Sequence, residues 1–267
     1  MRKIGITGCT GVLGSLLKKK LSKQNINYSC FKGDIRKVTH INHWLDKNRN
    51  LEKIIHLAAL VPVDKVKKNK KNAIKINFEG TKNLIQCIKK RRSKIWFFFS
   101  STGHVYKSKK TKIKETDKIL PITFYGKTKL LGEHFLNKNK NSGIKICIGR
   151  IFSVYHSTQK KPSLYPVIKE RIKNYQKKEI FYLQGGECIR DFLNAKDVVN
   201  IIYMISSLDL EGTFNIGSGK GTKIKDFVKK ISKKELKIKT SKHKDYLIAD
   251  VNKLKKFKII KGYINKL

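Results

Sequence analysis

Along this chain, short dense apolar runs alternate with longer amphipathic ones. Lys3 to Thr7, Ile26 to Phe31, Lys53 to Leu57, Ile95 to Phe99 and Ile144 to Gly149 are rich in isoleucine, phenylalanine and other apolar residues. Runs apolar at nearly every position read as strands buried on both faces, as in a parallel sheet. Between them, apolar residues recur at helical spacing. One such segment follows Gly11 and runs through Leu21, and others span Val38 to Lys47 and Ile122 to Leu136. Lys71 to Lys89 places Ile74, Phe78, Leu84, Ile85 and Ile88 at the same spacing. Strands that alternate with helices predict a parallel sheet covered on both faces. Farther on, Lys161 to Ile180 reads as a basic loop plus a helix, Asp197-Val198 opens an apolar helix to Leu208, and Gly212 to Gly219 reads as a strand and turn. The rest is lysine-rich and reads as a small terminal lobe, with no internal repeat or long linker.

A length of 267 residues suffices for one large α/β unit or a main domain with a smaller lobe. No apolar run reaches membrane-spanning length. The first strand begins at Lys3 and leaves no room for a signal peptide, so a cytoplasmic location is expected. Cys9, Cys30, Cys87, Cys147 and Cys188 are scattered, odd in number and without metal-ligand spacing. Reduced thiols and no metal site are the expectation. The formal charge of +43 raises the question of a nucleic-acid partner. The lysines run through the whole chain, and frequent lysine, isoleucine and asparagine fit codon bias in an AT-rich genome. The densest basic runs, Val66 to Lys75 and Lys107 to Lys114, interleave no aromatics for base stacking. A solvated basic surface, attractive to anionic small substrates, is the preferred reading.

Candidate chemistry begins after the first strand, in Thr7-Gly8-Cys9-Thr10-Gly11-Val12-Leu13-Gly14. A strand, a glycine-rich turn and a helix form a dinucleotide-binding unit. Gly8 permits the tight turn, Gly11 lets the backbone approach a pyrophosphate, and Gly14 lets the helix pack close. Val12 and Leu13 stand at the helix N-terminus, where free N–H groups and the dipole favour phosphate. No acid closes the second strand. Asp34, with Ile35 beside it, either accepts from the adenosine ribose, favouring NAD, or lies farther along against the adenine amino group. The second placement is preferred because Gly33-Asp34-Ile35 leads into another helix. Lys32, and with it Arg36, could then meet a 2′-phosphate, favouring NADP. Leu57, Ala58 and Ala59 close the third strand, where small residues let a cofactor ribose pass. Asn77 is a further cofactor candidate.

The centre of the chain is Ser100-Ser101-Thr102 after the apolar run to Phe99, and then Tyr125-Gly126-Lys127-Thr128-Lys129. The strand would open on a site at its C-terminal end. Tyr125 and Lys129 are four residues apart and share a helix face. A nearby ammonium favours the phenolate and lowers the tyrosine pKa. Such a tyrosine exchanges a proton with a substrate oxygen, and Thr102 would offer its hydroxyl to the same oxygen.

Together these residues resemble the extended short-chain dehydrogenase/reductase family, in its NAD-dependent epimerase/dehydratase branch. The pattern TGxxGxxG falls on Gly8, Gly11 and Gly14. His56-Leu57-Ala58-Ala59, Asn77 with Gly80-Thr81, Ser101 to Tyr106, and Pro121 to Glu133 around Tyr125 and Lys129 follow in order. Arg190-Asp191-Phe192 with Asp197-Val198, and Phe214 to Gly217, complete the resemblance over about residues 3 to 220.

The resemblance implies a Rossmann-type doubly wound α/β sheet with a small C-terminal substrate-binding lobe. Residues 1–150 would form the NAD(P)-binding domain, with 190–217 returning to it, and 151–189 and 218–267 would form the lobe. Thr102, Tyr125 and Lys129 would be catalytic, with Lys129 on the nicotinamide ribose. Thr102, Ser153 and Arg190 would bind substrate, Arg190 through the diphosphate. The other reading of Arg190 is a structural pair with Asp191 or Asp197. Family members often dimerise through a helix pair that includes the catalytic helix.

Departures narrow the activity. Gly103 and His104 replace the Asp-Glu pair that follows the catalytic threonine in sugar-nucleotide 4,6-dehydratases, which argues against dehydration. Ser153 replaces an asparagine often found after an arginine like Arg150, and Lys107 replaces a glycine. His104 is read as a satisfied loop histidine in preference to a substrate contact. The expected activity is reduction of a 4-keto-6-deoxy nucleotide sugar with NAD or NADP, NADPH slightly favoured. A shortened C-terminus and the lack of an acid closing strand two tilt this reading away from the alternative, a 4-epimerase with tightly held NAD. A basic nucleic-acid-binding protein on a dehydrogenase fold is the reading from another class, and the intact Thr102, Tyr125 and Lys129 oppose it.

Overall fold

A computed structural model of the chain describes residues 3–91, 94–140, 143–177 and 179–267. Its centre is a six-stranded sheet: β1 (Lys3–Thr7), β2 (Tyr28–Cys30), β3 (Leu51–His56), β4 (Trp96–Thr102), β5 (Lys145–Ile151) and β6 (Gly212–Ile216). The order across the sheet is β6-β5-β4-β3-β1-β2, with every pair parallel. The doubly wound sheet expected from the alternating pattern is therefore present. Strand order reverses between β1 and β3, which opens a crevice at their C-terminal ends.

Alternation along β4 feeds two cores. Phe98 enters one with Ile6, Leu17, Leu21, Ile201 and Ile205, contributed in part by α1 (Val12–Lys23) and α5 (Ala195–Ser207). Phe97 and Phe99 enter the other with Ile41, Leu84, Ile85 and Leu136. That face is covered by α2 (Val38–Asp46), α3 (Gly80–Lys90) and α4 (Phe124–Lys138). All three phenylalanines are fully buried, as a strand covered on both faces requires.

A third cluster, with Ile168, Ile172, Phe181, Leu183, Val228 and Leu236, builds a separate small lobe. Residues 218–267 divide between cores. Val228 and Leu236 join the lobe, whereas Leu254, Ile260 and Ile264 join the core of Phe98. Among the described residues no helix is long and apolar enough to cross a membrane.

Two local expectations need correction. The segment Lys71–Lys89 is not one α-helix. Lys70–Ile74 is α-helical, Lys75–Glu79 widens into a π-turn, and α3 begins at Gly80. The five cysteines are not all free thiols: Cys9 and Cys30 are joined in a disulfide. Pairing of Ile6 with Cys30 in adjacent strands brings Cys9, two residues past β1, beside the end of β2. Cys87, Cys147 and Cys188 are free and buried.

Candidate active site

The first wall of the site is the loop after β1. Gly8 takes φ +75°, a left-handed conformation that glycine adopts without strain. Its carbonyl accepts from Gly11 N–H at 3.0 Å. A Cβ at Gly14 would stand 2.2 Å from that carbonyl, so only glycine lets α1 begin this close to the loop. A Cβ at Gly8 would stand 2.7 Å from the backbone nitrogen of Ala58. The glycine loop and the Leu57-Ala58-Ala59 segment thus face each other at the crevice. Val12 and Leu13 open the first turn of α1 there.

His56 fixes this junction from below. It is fully buried, and burial lowers its pKa to about 3, so the ring is neutral. Thr81 Oγ1 donates to Asn77 O at 3.0 Å and so accepts from His56 Nε2, 2.9 Å away. His56 Nδ1 is then the acceptor for the Thr7 hydroxyl at 2.6 Å. Thr7 Oγ1 in turn accepts from Ala58 N–H at 3.2 Å.

Asn77, at the middle of the π-turn, is a clasp. Its Oδ1 accepts from Leu60 N–H at 2.6 Å, and its Nδ2 donates to Leu60 O at 3.2 Å and to Thr128 Oγ1 at 3.1 Å. Asn77 is fully buried, and both ends of its amide are engaged within the protein. It ties the segment after Ala59 to the residue preceding Lys129. A π-turn holding a buried side chain in a fixed position is a recurrent feature of functional sites.

Past β2, the Asp34 carboxylate is engaged with Arg36. Its carboxylate accepts from Arg36 N at 3.0 Å, Nε at 2.9 Å and Nη2 at 2.6 Å. These bonds hold its pKa at about 2. Arg36 also donates to Asn72 at 3.0 Å. Ile35 is buried against Gly80. Lys32, two residues past β2, is exposed.

The second wall is the end of β4 with the start of α4. Thr102 is buried, and its Oγ1 accepts from His104 N–H at 3.2 Å. Thr123 caps α4 by accepting from Gly126 N–H at 3.0 Å. A Cβ at Gly126 would stand 2.3 Å from His104 O, so glycine allows the helix to start against the turn that follows Thr102. The His104 and Tyr125 rings meet edge to face at 6.3 Å between centroids. The first turn of α4, which carries Tyr125, thus packs against the turn that follows Thr102, and Lys129 stands one helical turn farther on.

Lys129 is fully buried, and its Nζ has no hydrogen-bond partner among the described residues. It lies 4.2 Å from the Phe99 ring centroid. Burial lowers its pKa to about 7, partly opposed by Glu133 one turn on. Burial pushes the Tyr125 phenol above its ordinary value. The expectation of a lysine-depressed tyrosine is therefore not met in the protein alone. The ammonium rests on Phe99 without bonding the phenol, and desolvation dominates.

Behind this corner, Arg150 and Glu133 form a buried pair, Nη2 to Oε2 2.6 Å and Nε to Oε1 3.1 Å. Ser101 Oγ donates to the same carboxylate. Arg150 Nη1 donates to Tyr106 Oη at 2.8 Å, and that hydroxyl donates to Asn215 Oδ1 at 2.7 Å. The network ties β4, β5 and β6 to α4. Its sequence signal was an acid and an arginine amid apolar runs, and it passed unread because pairing across the fold is not local.

On the lobe side, Arg190 forms a two-pronged pair with Asp245 at 2.6 and 2.9 Å. Neither acid named from the sequence is its partner. Asp191 accepts from Ser218 N and Gly219 N, at 2.8 and 2.9 Å, and Asp197 accepts from Tyr263 Oη at 2.6 Å. Asp245 was missed, although it is the single acid between Glu235 and Asp250. Ser153 lies on a short strand in register with Phe192, and its N–H donates to Asp191 O at 3.0 Å.

The glycine cradle and the orphaned Lys129 ammonium suit a dinucleotide with ribose hydroxyls, and the residues present fit that group. Fold and site together define a dinucleotide-binding α/β enzyme. The family model described as GDP-mannose 4,6 dehydratase matches residues 7–263. The chain belongs to that family, within the NAD-dependent epimerase/dehydratase branch of the extended short-chain dehydrogenase/reductases.

It is 29% identical over 245 residues to the uncharacterized UDP-glucose epimerase YtcB of Bacillus subtilis (strain 168), covering 80% of this chain and 76% of that protein. Its fold matches the UDP-glucose 4-epimerase of Thermus thermophilus in complex with NAD, with TM-score 0.83, 19% identity, and 98% and 93% of the two chains covered. It likewise matches dTDP-4-dehydrorhamnose reductase of Bacillus anthracis str. Ames in complex with NADP, with TM-score 0.83, 22% identity, and 96% and 91% covered.

Proposed function

We propose that the chain reduces the keto group of a nucleotide-linked 4-keto-6-deoxy sugar, with NADPH preferred as the electron source. The observation that carries the redox reading is the Lys129 ammonium, buried and without a hydrogen-bond partner among the described residues, one helical turn from Tyr125. Burying an unpaired ammonium is costly, and a ligand with hydroxyl acceptors there would relieve that cost.

The residues divide the work. Gly8, Gly11 and Gly14, with the N–H groups of Val12 and Leu13, would hold the pyrophosphate. Leu57, Ala58 and Ala59 would line the ribose path. Lys32 would meet a 2′-phosphate, and its exposure just past β2 favours NADPH. When bound, the dinucleotide supplies hydride. Tyr125 holds the proton at its phenol and passes it to the substrate oxygen as negative charge develops there. The Thr102 hydroxyl donates to the same oxygen. Lys129 would donate from its unpartnered ammonium to the hydroxyls of the nicotinamide ribose. Arg190, on the lobe side, would take the substrate diphosphate, and Ser153 would also bind substrate. Gly103 and His104 provide no carboxylate for elimination, so dehydration is not part of the reading.

The test is turnover on a panel of UDP-, dTDP- and GDP-linked 4-keto-6-deoxy sugars with NADPH or NADH, following cofactor absorbance and sugar product. Oxidation of one cofactor per sugar reduced is expected. Isomerisation of a nucleotide sugar without net cofactor consumption would replace the reductase reading with an epimerase. Tight cofactor binding with neither reaction would show the substrate class to be wrong.

A further inference from the structure

Cys188, His243 and Asp245 meet on the lobe side, with a sulfur, an imidazole nitrogen and a carboxylate oxygen all within 4.8 Å of one another. Sequence spacing does not show this group, because 55 residues separate Cys188 from His243. Strand pairing closes the gap. Ile189–Arg190 runs parallel to Tyr246–Leu247, with Ile189 in register with Tyr246. The Ile189 N–H donates to Asp245 O at 2.8 Å, so Cys188 and Asp245, each one residue before its strand, are neighbours. The Gly185 N–H donates to Ser241 Oγ at 2.9 Å, and Cys188 Sγ donates to His243 O at 3.6 Å. Cys188 is buried, Asp245 half-buried and His243 exposed, so the group opens to solvent on the histidine side.

The donor set selects the ion. A thiolate and an imidazole favour a borderline-soft cation, and one carboxylate is too few hard oxygens for calcium or magnesium. Around four-coordinate zinc, three such ligand atoms stand about 3.5 Å apart. The separations here would close by about an ångström at most, and the exposed His243 side chain has room to move. Asp245 is already held by Arg190, with Nη1 to Oδ1 2.6 Å and Nη2 to Oδ2 2.9 Å. Each carboxylate oxygen has a second lone pair, so Asp245 can bind an ion and keep Arg190. A ligating carboxylate steadied by an outer hydrogen bond is the usual arrangement at metal sites. We propose that Cys188, His243 and Asp245 form a zinc site with water in the fourth position. Binding exchanges the Cys188 thiol proton, released to solvent, for the ion. The ion would pin segment 241–245 to the strand that carries Arg190. Such a site would stand whatever reaction the chain catalyses.

The experiment titrates the full chain, freed of metal by chelation, with Co²⁺ followed by absorbance and with Zn²⁺ followed by calorimetry. One Co²⁺ per chain is expected, with a near-ultraviolet thiolate-to-cobalt band and the intense visible absorption of four-coordinate cobalt. Zn²⁺ should displace it. Cys188→Ser should abolish the thiolate band. His243→Ala should weaken Zn²⁺ binding at least roughly a hundredfold, more than loss of an outer partner costs. Zn²⁺ should raise the unfolding midpoint of the wild type, as a ligand of the folded state does, and leave that of His243→Ala unmoved. His134→Ala, at an exposed histidine on α4, should behave as wild type, which separates the site from casual binding at surface histidines. Because His243 is exposed, its variant decides the matter if Cys188→Ser does not fold. Absence of one-to-one binding overturns the site, as does a cobalt complex without the thiolate band. Binding that survives His243→Ala, or falls equally in His134→Ala, also overturns it.

Discussion

The ammonium of Lys129 sits 4.2 Å from the ring centroid of Phe99 and has no hydrogen-bond partner among the described residues. A cation–π contact offsets part of the desolvation cost, and the lowered pKa shows that it does not offset all of it. The protein therefore carries a destabilised group one helical turn from Tyr125.

Replacing that group should stabilise the fold and abolish activity. For Lys129→Met the expected gain is on the order of 3 kcal/mol at pH 6. The folded-state pKa, about 7, lies below the ordinary value of 10.5. The penalty is thus fully present below pH 7 and disappears as pH rises toward the unfolded value. The unfolding midpoints of variant and wild type should differ most at pH 6 and converge by pH 10. A constant difference would contradict the assignment.

Tyr125→Phe removes the proton without emptying the space. Turnover should fall by about a hundred- to ten-thousandfold, the usual range for a general acid. Dinucleotide affinity, read by fluorescence quenching, should change little. Preserved turnover would remove Tyr125 from the chemistry.

Gly14→Ala tests the cradle. Its methyl would stand 2.2 Å from Gly8 O, so the loop or the start of α1 must shift. Dinucleotide affinity should fall by roughly tenfold or more, because phosphate binding depends on that close packing. Far-UV circular dichroism should retain its wild-type shape.

Arg150→Met leaves the Glu133 carboxylate buried and uncompensated. The loss should be about 3–5 kcal/mol in urea unfolding. Adding Glu133→Gln should recover much of it, since the cost lies in the unpaired charge. A double variant as unstable as the single one would show that packing matters more.

Lys32→Glu tests cofactor choice. A carboxylate just past β2 would repel a 2′-phosphate and suit a free ribose hydroxyl. The NADPH-to-NADH affinity ratio should fall at least about tenfold, the worth of one lost charge-assisted contact. An unchanged ratio would separate Lys32 from the cofactor.

The chain's own pattern sufficed for much of this protein. Apolar runs marked five of the six sheet strands, and Gly212 to Gly219 marked the sixth, because burial on both faces leaves few polar positions. Glycine spacing located the tight turn between β1 and α1, and the separation of Tyr125 and Lys129 put them on one helix face, because both signals are local. What required the tertiary structure was every relation between distant segments. The π-turn at Asn77 exists because its amide binds Leu60 and Thr128, and no periodicity encodes that. Asp245 was chosen over Asp191 and Asp197 as the partner of Arg190 by strand pairing in the lobe. Cys9 and Cys30 meet because β1 and β2 are neighbours. The Tyr125 pKa shift goes against the local expectation because desolvation depends on what surrounds a group, and only the folded chain supplies those surroundings.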